Sequence, residues 1–100
     1  MKTNSTMKYE IKTTNRFDKD LKKARKQGKN IQKLYDIVDK LANGEKLDFK
    51  YRNHSLIDDS VFKNCYECHI EPDWLLIYKY DHDKLILLLF STGSHSELFK

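Results

Sequence analysis

Apolar residues change their spacing halfway along this chain, and the change divides it into two kinds of structure. Tyr9-Glu10-Ile11-Lys12-Thr13 alternates and is rich in β-favouring residues, which predicts a short first strand. Thr14 or Asn15 can then cap a helix in which Phe17, Leu21 and Ala24 share one face while lysines cover the rest. Gly28 breaks it. Asn30 caps a second helix with Ile31, Leu34, Ile37, Val38 and Leu41 in one stripe, and Asn43-Gly44 supplies a left-handed exit. Residues 45–53 have no period and read as a loop, ending in a short edge strand near His54 to Leu56.

From Val61 the period becomes that of strands. Tyr66 to Ile70, Trp74 to Tyr80 and Leu85 to Ser91 are three of them, separated by the turn Glu71-Pro72-Asp73 and the loop Asp81-His82-Asp83. Leu85 to Phe90 is apolar without alternation, which suits a central strand covered on both faces, or one whose second face meets a partner. Ser94 or Ser96 can open a last helical turn through Leu98 and Phe99. The expected fold is α+β, of order β-α-α-β-β-β: an antiparallel sheet with a helical hairpin packed on one face.

With 100 residues, 39% of them apolar, the chain suffices for one domain with a modest core, expected over 8–100. Residues 1–7 form no apolar run and read as a disordered lead-in. No signal peptide is expected, no stretch approaches bilayer-spanning length, and a cytoplasmic protein is expected. Charge is uneven: residues 1–50 carry a net +7 and residues 51–100 a net −3. The basic half suits a polyanion surface, nucleic acid ahead of membrane, although lysine-rich helix faces also serve solubility alone.

All four histidines, His54, His69, His82 and His95, lie in the second half. A free imidazole titrates near pH ~6.5, so several of them with a carboxylate can move protons at neutral pH without a cofactor. Cys65 and Cys68 have the C-x-x-C spacing of metal or redox sites. A second pair is missing, and these two run into a strand pattern rather than a helix start, so buried or idle thiols are expected.

Three segments occur in an order that resembles the RelE/ParE superfamily of bacterial toxins, and within it the YafQ branch. They are His54-Ser55-Leu56, the run His69-Ile70-Glu71-Pro72-Asp73-Trp74-Leu75-Leu76-Ile77-Tyr78, and Thr92-Gly93-Ser94-His95-Ser96-Glu97-Leu98-Phe99. The resemblance extends from about Tyr9 to Phe99. It implies a toxin that cuts messenger RNA in the ribosomal decoding site without a metal, neutralised by a DinJ- or RelB-type antitoxin. It also implies a site of His54, His69, Asp73, Trp74, His95 and Phe99, with His82 outside it.

These residue types suit that chemistry. The substrate's 2′-hydroxyl is the nucleophile, one imidazole takes its proton, another protonates the leaving 5′-oxygen, and a cationic group stabilises the crowded phosphate. His95 is expected as the acid and His54 or His69 as the base, with Asp73 orienting or charging a histidine. Trp74 and Phe99 offer flat faces for an unstacked base, although a tryptophan opening an apolar strand, or a phenylalanine at its place, also suits the core. Asp73 likewise suits plain turn chemistry. Lys19, Lys22, Lys23, Lys26, Lys29 and Lys33 are the expected ribosomal RNA contacts. Two alternatives stay open: a non-catalytic module of this fold that holds an antitoxin or acts on gyrase, and a small zinc module built on Cys65, Cys68, His69 and His82 or His95.

Overall fold

A computed structural model describes residues 7–56 and 59–99. Apart from Met7, the expected lead-in lies outside the described residues; Met7 itself packs against the core rather than belonging to a tail. The elements are β1 (Glu10–Thr13), α1 (Asn15–Lys26), α2 (Ile31–Ala42), a 3-10 turn (Phe49–Tyr51), β2 (His54–Ser55), β3 (Tyr66–Glu71), β4 (Trp74–Asp81), β5 (Ile86–Gly93) and α3 (His95–Leu98).

The sheet order is β1-β5-β4-β3-β2. Strands β2 to β5 pair antiparallel, whereas β1 runs parallel to β5, with Glu10 opposite Ile86 and Thr13 opposite Leu89. The sheet is therefore mixed, not wholly antiparallel. The helical hairpin carries the chain back so that β1 enters beside the last strand in the same direction, as a long crossover permits.

Both helices start where expected. Thr14 Oγ1 accepts from Phe17 N–H at 2.9 Å and donates to the Phe90 carbonyl at 2.7 Å, so one cap also ties α1 to β5. Asn30 Oδ1 accepts from Gln32 N–H, and Gly44 leaves α2 at φ +77°. Phe17, Ala24, Leu34, Ile37, Val38 and Leu41 bury one helical face against Cys68, Ile70, Trp74, Leu76, Tyr78, Leu87 and Leu89 of the sheet. Leu75, Ile77, Phe62, Cys65 and Leu98 form a second cluster. Alternate residues of β4 thus enter different clusters, which explains the unbroken apolar stretch from Trp74 to Tyr78. Strand β5 begins one residue later than expected because Leu85 sits at φ +54° in the preceding turn.

Candidate active site

The β3–β4 turn and the end of β5 meet at one rim of the sheet. Only Pro72 and Asp73 separate Glu71 from Trp74, and the β3–β4 register shifts between His69 and Glu71. Such a bulge re-aims side chains at the end of a strand. On the neighbouring strand, Gly93 leads into Ser94, which caps α3. Ser94 Oγ accepts from Glu97 N–H at 3.2 Å, and Glu97 Oε1 accepts from Ser94 N–H at 2.9 Å, a reciprocal capping box. A Cβ on Gly93 would lie 3.1 Å from Glu97 Oε1 and 3.3 Å from Leu98 Cδ2, so any larger residue would push on the side chains of this corner. Lys23 on α1 binds Glu97 Oε2 at 2.5 Å, and this ammonium, followed by the Ser94 N–H, pulls the Glu97 carboxyl down to about 2.

This corner delivers His95 to Asp73. Asp73 Oδ1 accepts from His95 N–H at 2.9 Å and from its ring Nδ1 at 2.7 Å. The backbone N–H first, and the ring second, hold the Asp73 carboxyl below its ordinary range. A carboxylate on Nδ1 fixes that nitrogen as the donor and leaves Nε2 to exchange a proton with a substrate. The His95 ring lies 5.5 Å, centroid to centroid, from that of His69 and 6.4 Å from that of Phe99.

The second half of the rim is held by a residue that the sequence reading did not place in the site. Glu67 Oε1 lies 3.1 Å from His69 Nε2 and 3.3 Å from His54 Nε2. Glu67 is buried, and its partner His54 stands opposite it in the β2–β3 register. His69 Nδ1 faces the Pro72 carbonyl at 3.2 Å, so both of its ring nitrogens point at acceptors. His54 is exposed, with Nδ1 3.3 Å from the Ser55 carbonyl. The signal for Glu67 was available: it precedes His69 by two residues, which puts both on one face of a strand.

Other expected positions fare differently. Phe99 is 37% exposed and packs edge-on to Phe62 at 5.5 Å, so it borders both core and solvent. Trp74 is corrected: it has no exposed surface, and its indole N–H donates to Thr92 Oγ1 at 2.9 Å, leaving no face for a base. Of the lysines, Lys23 pairs with Glu97, Lys33 with Glu71 at 2.8 Å, and Lys29 Nζ stands 5.4 Å over the Trp74 ring. Lys19, Lys22 and Lys26 are exposed. His82 lies in the β4–β5 turn against the Tyr9 hydroxyl, away from the rim.

The zinc module built on the cysteines does not fit. Cys65 and Cys68 are buried in separate clusters, and burial pushes the Cys68 thiol up to about 12. Among the described residues, three ligand-type side chains converge at His54, Glu67 and His69, with their donor atoms within 4.8 Å of one another. Two imidazoles and a carboxylate are a donor set that suits transition metals.

The family model of the bacterial toxin of type II toxin–antitoxin systems, YafQ, matches residues 9–100. The mRNA interferase toxin YafQ of Escherichia coli strain B is 40% identical over 91 residues, covering 90% of this chain and 95% of that protein. The E. coli DinJ–YafQ complex superposes with a TM-score of 0.81 at 38% identity, covering 92% of this chain and 99% of the other. A metal-bound toxin from Helicobacter pylori gives 0.81 at 43%, covering 89% and 97%. Fold and relatives agree, and the chain belongs to the YafQ family of bacterial type II toxin–antitoxin toxins.

Proposed function

We propose that this chain is an endoribonuclease toxin that cuts messenger RNA as the ribosome translates it, and that an antitoxin of the DinJ type silences it. The observation that carries the reading is the Asp73–His95 pair, in which Nδ1 is held at 2.7 Å and Nε2 meets no hydrogen-bond partner among the described residues, set beside the imidazole of His69. His95 is the general acid that protonates the leaving 5′-oxygen. His54 is the base: its side chain is open to substrate, and Glu67, 3.3 Å from its Nε2, stabilises the imidazolium that forms when it takes the 2′-hydroxyl proton. His69 is buried between Glu67 and the Pro72 carbonyl, so its role is to position the site and to donate a hydrogen bond toward the phosphate rather than to move a proton. Each proton transfer is worth roughly 10²–10⁴-fold.

No metal is required by this scheme, because acid, base and hydrogen-bond donor all come from side chains. Phe99 supports a base beside the cut, and Lys19, Lys22 and Lys26 meet ribosomal phosphates. The toxin thus works in the cytoplasm, where ribosomes are. Among the described residues no helix is long and apolar enough to cross a membrane. The support for the antitoxin is the solved complex of the E. coli relative.

The test adds purified protein to a translating extract containing a chelator and maps the 5′ ends of the message. Cuts confined to translated messages, abolished by His95→Ala and by added DinJ-type antitoxin, are expected. Equal cutting of naked RNA, or full activity of His95→Ala, would overturn the scheme.

A further inference from the structure

The catalytic rim does not end at His69. It opens into a cleft of about 550 Å³ between α2 and the 3-10 turn, lined by Lys33, Lys50, Tyr51, Arg52, His69 and Pro72 among others. On the other side of the Glu71–Pro72–Asp73 corner, a second hollow of about 460 Å³ reaches Lys29 and Ser94. The scissile linkage at the rim therefore has room for chain on both sides.

The first cleft has two features that packing does not explain. Phe49, which precedes the lining residue Lys50 and stands outside the cleft itself, is 99% exposed, although burying such a ring would be favourable. Arg52 closes the 3-10 turn at φ +46°, a backbone region that glycine and asparagine enter far more easily than arginine. A strained arginine and an uncovered phenylalanine, two residues from a tyrosine, form the basic-aromatic run Phe49-Lys50-Tyr51-Arg52. Two carboxylates also line the cleft. Glu71 is answered by Lys33 at 2.8 Å and Asp36 accepts from Gln32 Nε2 at 2.9 Å, while Lys50 and Arg52 form no salt bridge among the described residues. The Lys50 ammonium instead stands 5.1 Å over the Tyr51 ring.

We propose that this cleft is the subsite for the nucleotide next to the cut, with Phe49 as the stacking face for its base and Lys50 and Arg52 as partners of its phosphate. The proposal rests on the reading that the rim cuts RNA. Aromatic faces interleaved with cations are how single-stranded RNA is held: stacking tolerates any base, and phosphate contacts give a salt-dependent affinity. The cleft shares His69 and Pro72 with the rim, so RNA leaving the reacting linkage can pass directly into it.

The test compares wild-type protein with Phe49→Ala, Lys50→Ala and Arg52→Asn; asparagine accepts the left-handed backbone, so the last variant keeps the turn. In one arm each protein is titrated with a short single-stranded oligonucleotide whose riboses are all 2′-O-methylated and cannot be cut, over a range of salt. In the other, each is added to the translating extract and its cut sites are mapped. Phe49→Ala is expected to weaken binding about tenfold with an unchanged salt slope and to relax base preference at one position beside the cut. Lys50→Ala and Arg52→Asn should each lower the slope of log affinity against log salt by roughly 0.7. A merely structural role would not move that slope.

Wild-type slopes and cut sites for all three variants would overturn the subsite. So would a loss confined to antitoxin binding, which would assign the surface to the protein partner. If the oligonucleotide binds too weakly to titrate, the cut-site arm decides. A wild-type protein that cuts no message would sink the reading of the rim instead, and the oligonucleotide arm would then judge the cleft by itself.

Discussion

Asp73 Oδ1 accepts two hydrogen bonds from a single residue, His95: one from its backbone N–H at 2.9 Å and one from its ring at 2.7 Å. The first places the start of α3 and the second chooses the tautomer. The two jobs can be separated. Asp73→Asn keeps an oxygen for the backbone N–H but removes the charge that supports the protonated ring. We expect the melting temperature to stay within a few degrees of wild type while the cleavage rate falls by roughly 10²-fold or more. Equal rates for both proteins would remove the dyad from the mechanism.

Glu67 makes the same kind of prediction on the other side of the rim. In Glu67→Gln an amide oxygen can still accept one N–H, but no negative charge faces His54 and His69. Cleavage should drop by about 10²-fold, with little loss of fold. Glu67→Ala leaves a buried imidazole without its partner and should also cost about 1–3 kcal/mol of stability in chemical denaturation. A silent Glu67→Gln in the cleavage assay would show that the histidines need no counterion.

Trp74 separates core from site. Replacement by phenylalanine deletes the bond to Thr92 and part of a fully buried ring, so the expected effect is a stability loss of about 1–3 kcal/mol. Cut-site preference should be unchanged. Altered preference in a Trp74→Phe protein of normal stability would return the residue to the substrate.

Acid should undo the α3 corner in a defined window. The Glu97 carboxyl is drawn down from 4.5 to about 2 by Lys23 and Ser94, so its contribution is complete above pH 4.5 and disappears as pH falls towards 2. Wild type and Glu97→Gln should therefore differ most in melting temperature above pH 4.5 and converge towards pH 2. A difference that persists unchanged at the acid end would mean that the charge on Glu97 is not what holds the corner.

Much of this fold was legible because its local signals agree: Thr14 and Asn30 cap, Gly28 and Gly44 stop, and the apolar stripe from Ile31 to Leu41 has one helical period. The direction of β1 was not legible, since strand pairing between distant segments leaves no trace in either segment's pattern. In the site, His54, His69, Asp73 and His95 carried motifs that announced them. Glu67 did not stand out because a carboxylate on a strand normally faces water; its spacing put it on the face of His69, but only the pairing with β2 brings His54 to it as well. Trp74 misled for the converse reason: an aromatic beside Asp73 invites a stacking role, and only burial shows that the core claims it.

The parallel pairing of β1 with β5 joins Glu10 to Ile86, partners 76 positions apart. Loop closure over such a span comes late, after local helices and hairpins have formed. A nascent chain that has not yet exposed residue 89 cannot complete this sheet, and until Glu97 emerges His95 has no cap to hold it against Asp73. The Asp73–His95 corner is thereby joined to the slowest part of the fold: it cannot be assembled before the strand that leads into it has been made and paired.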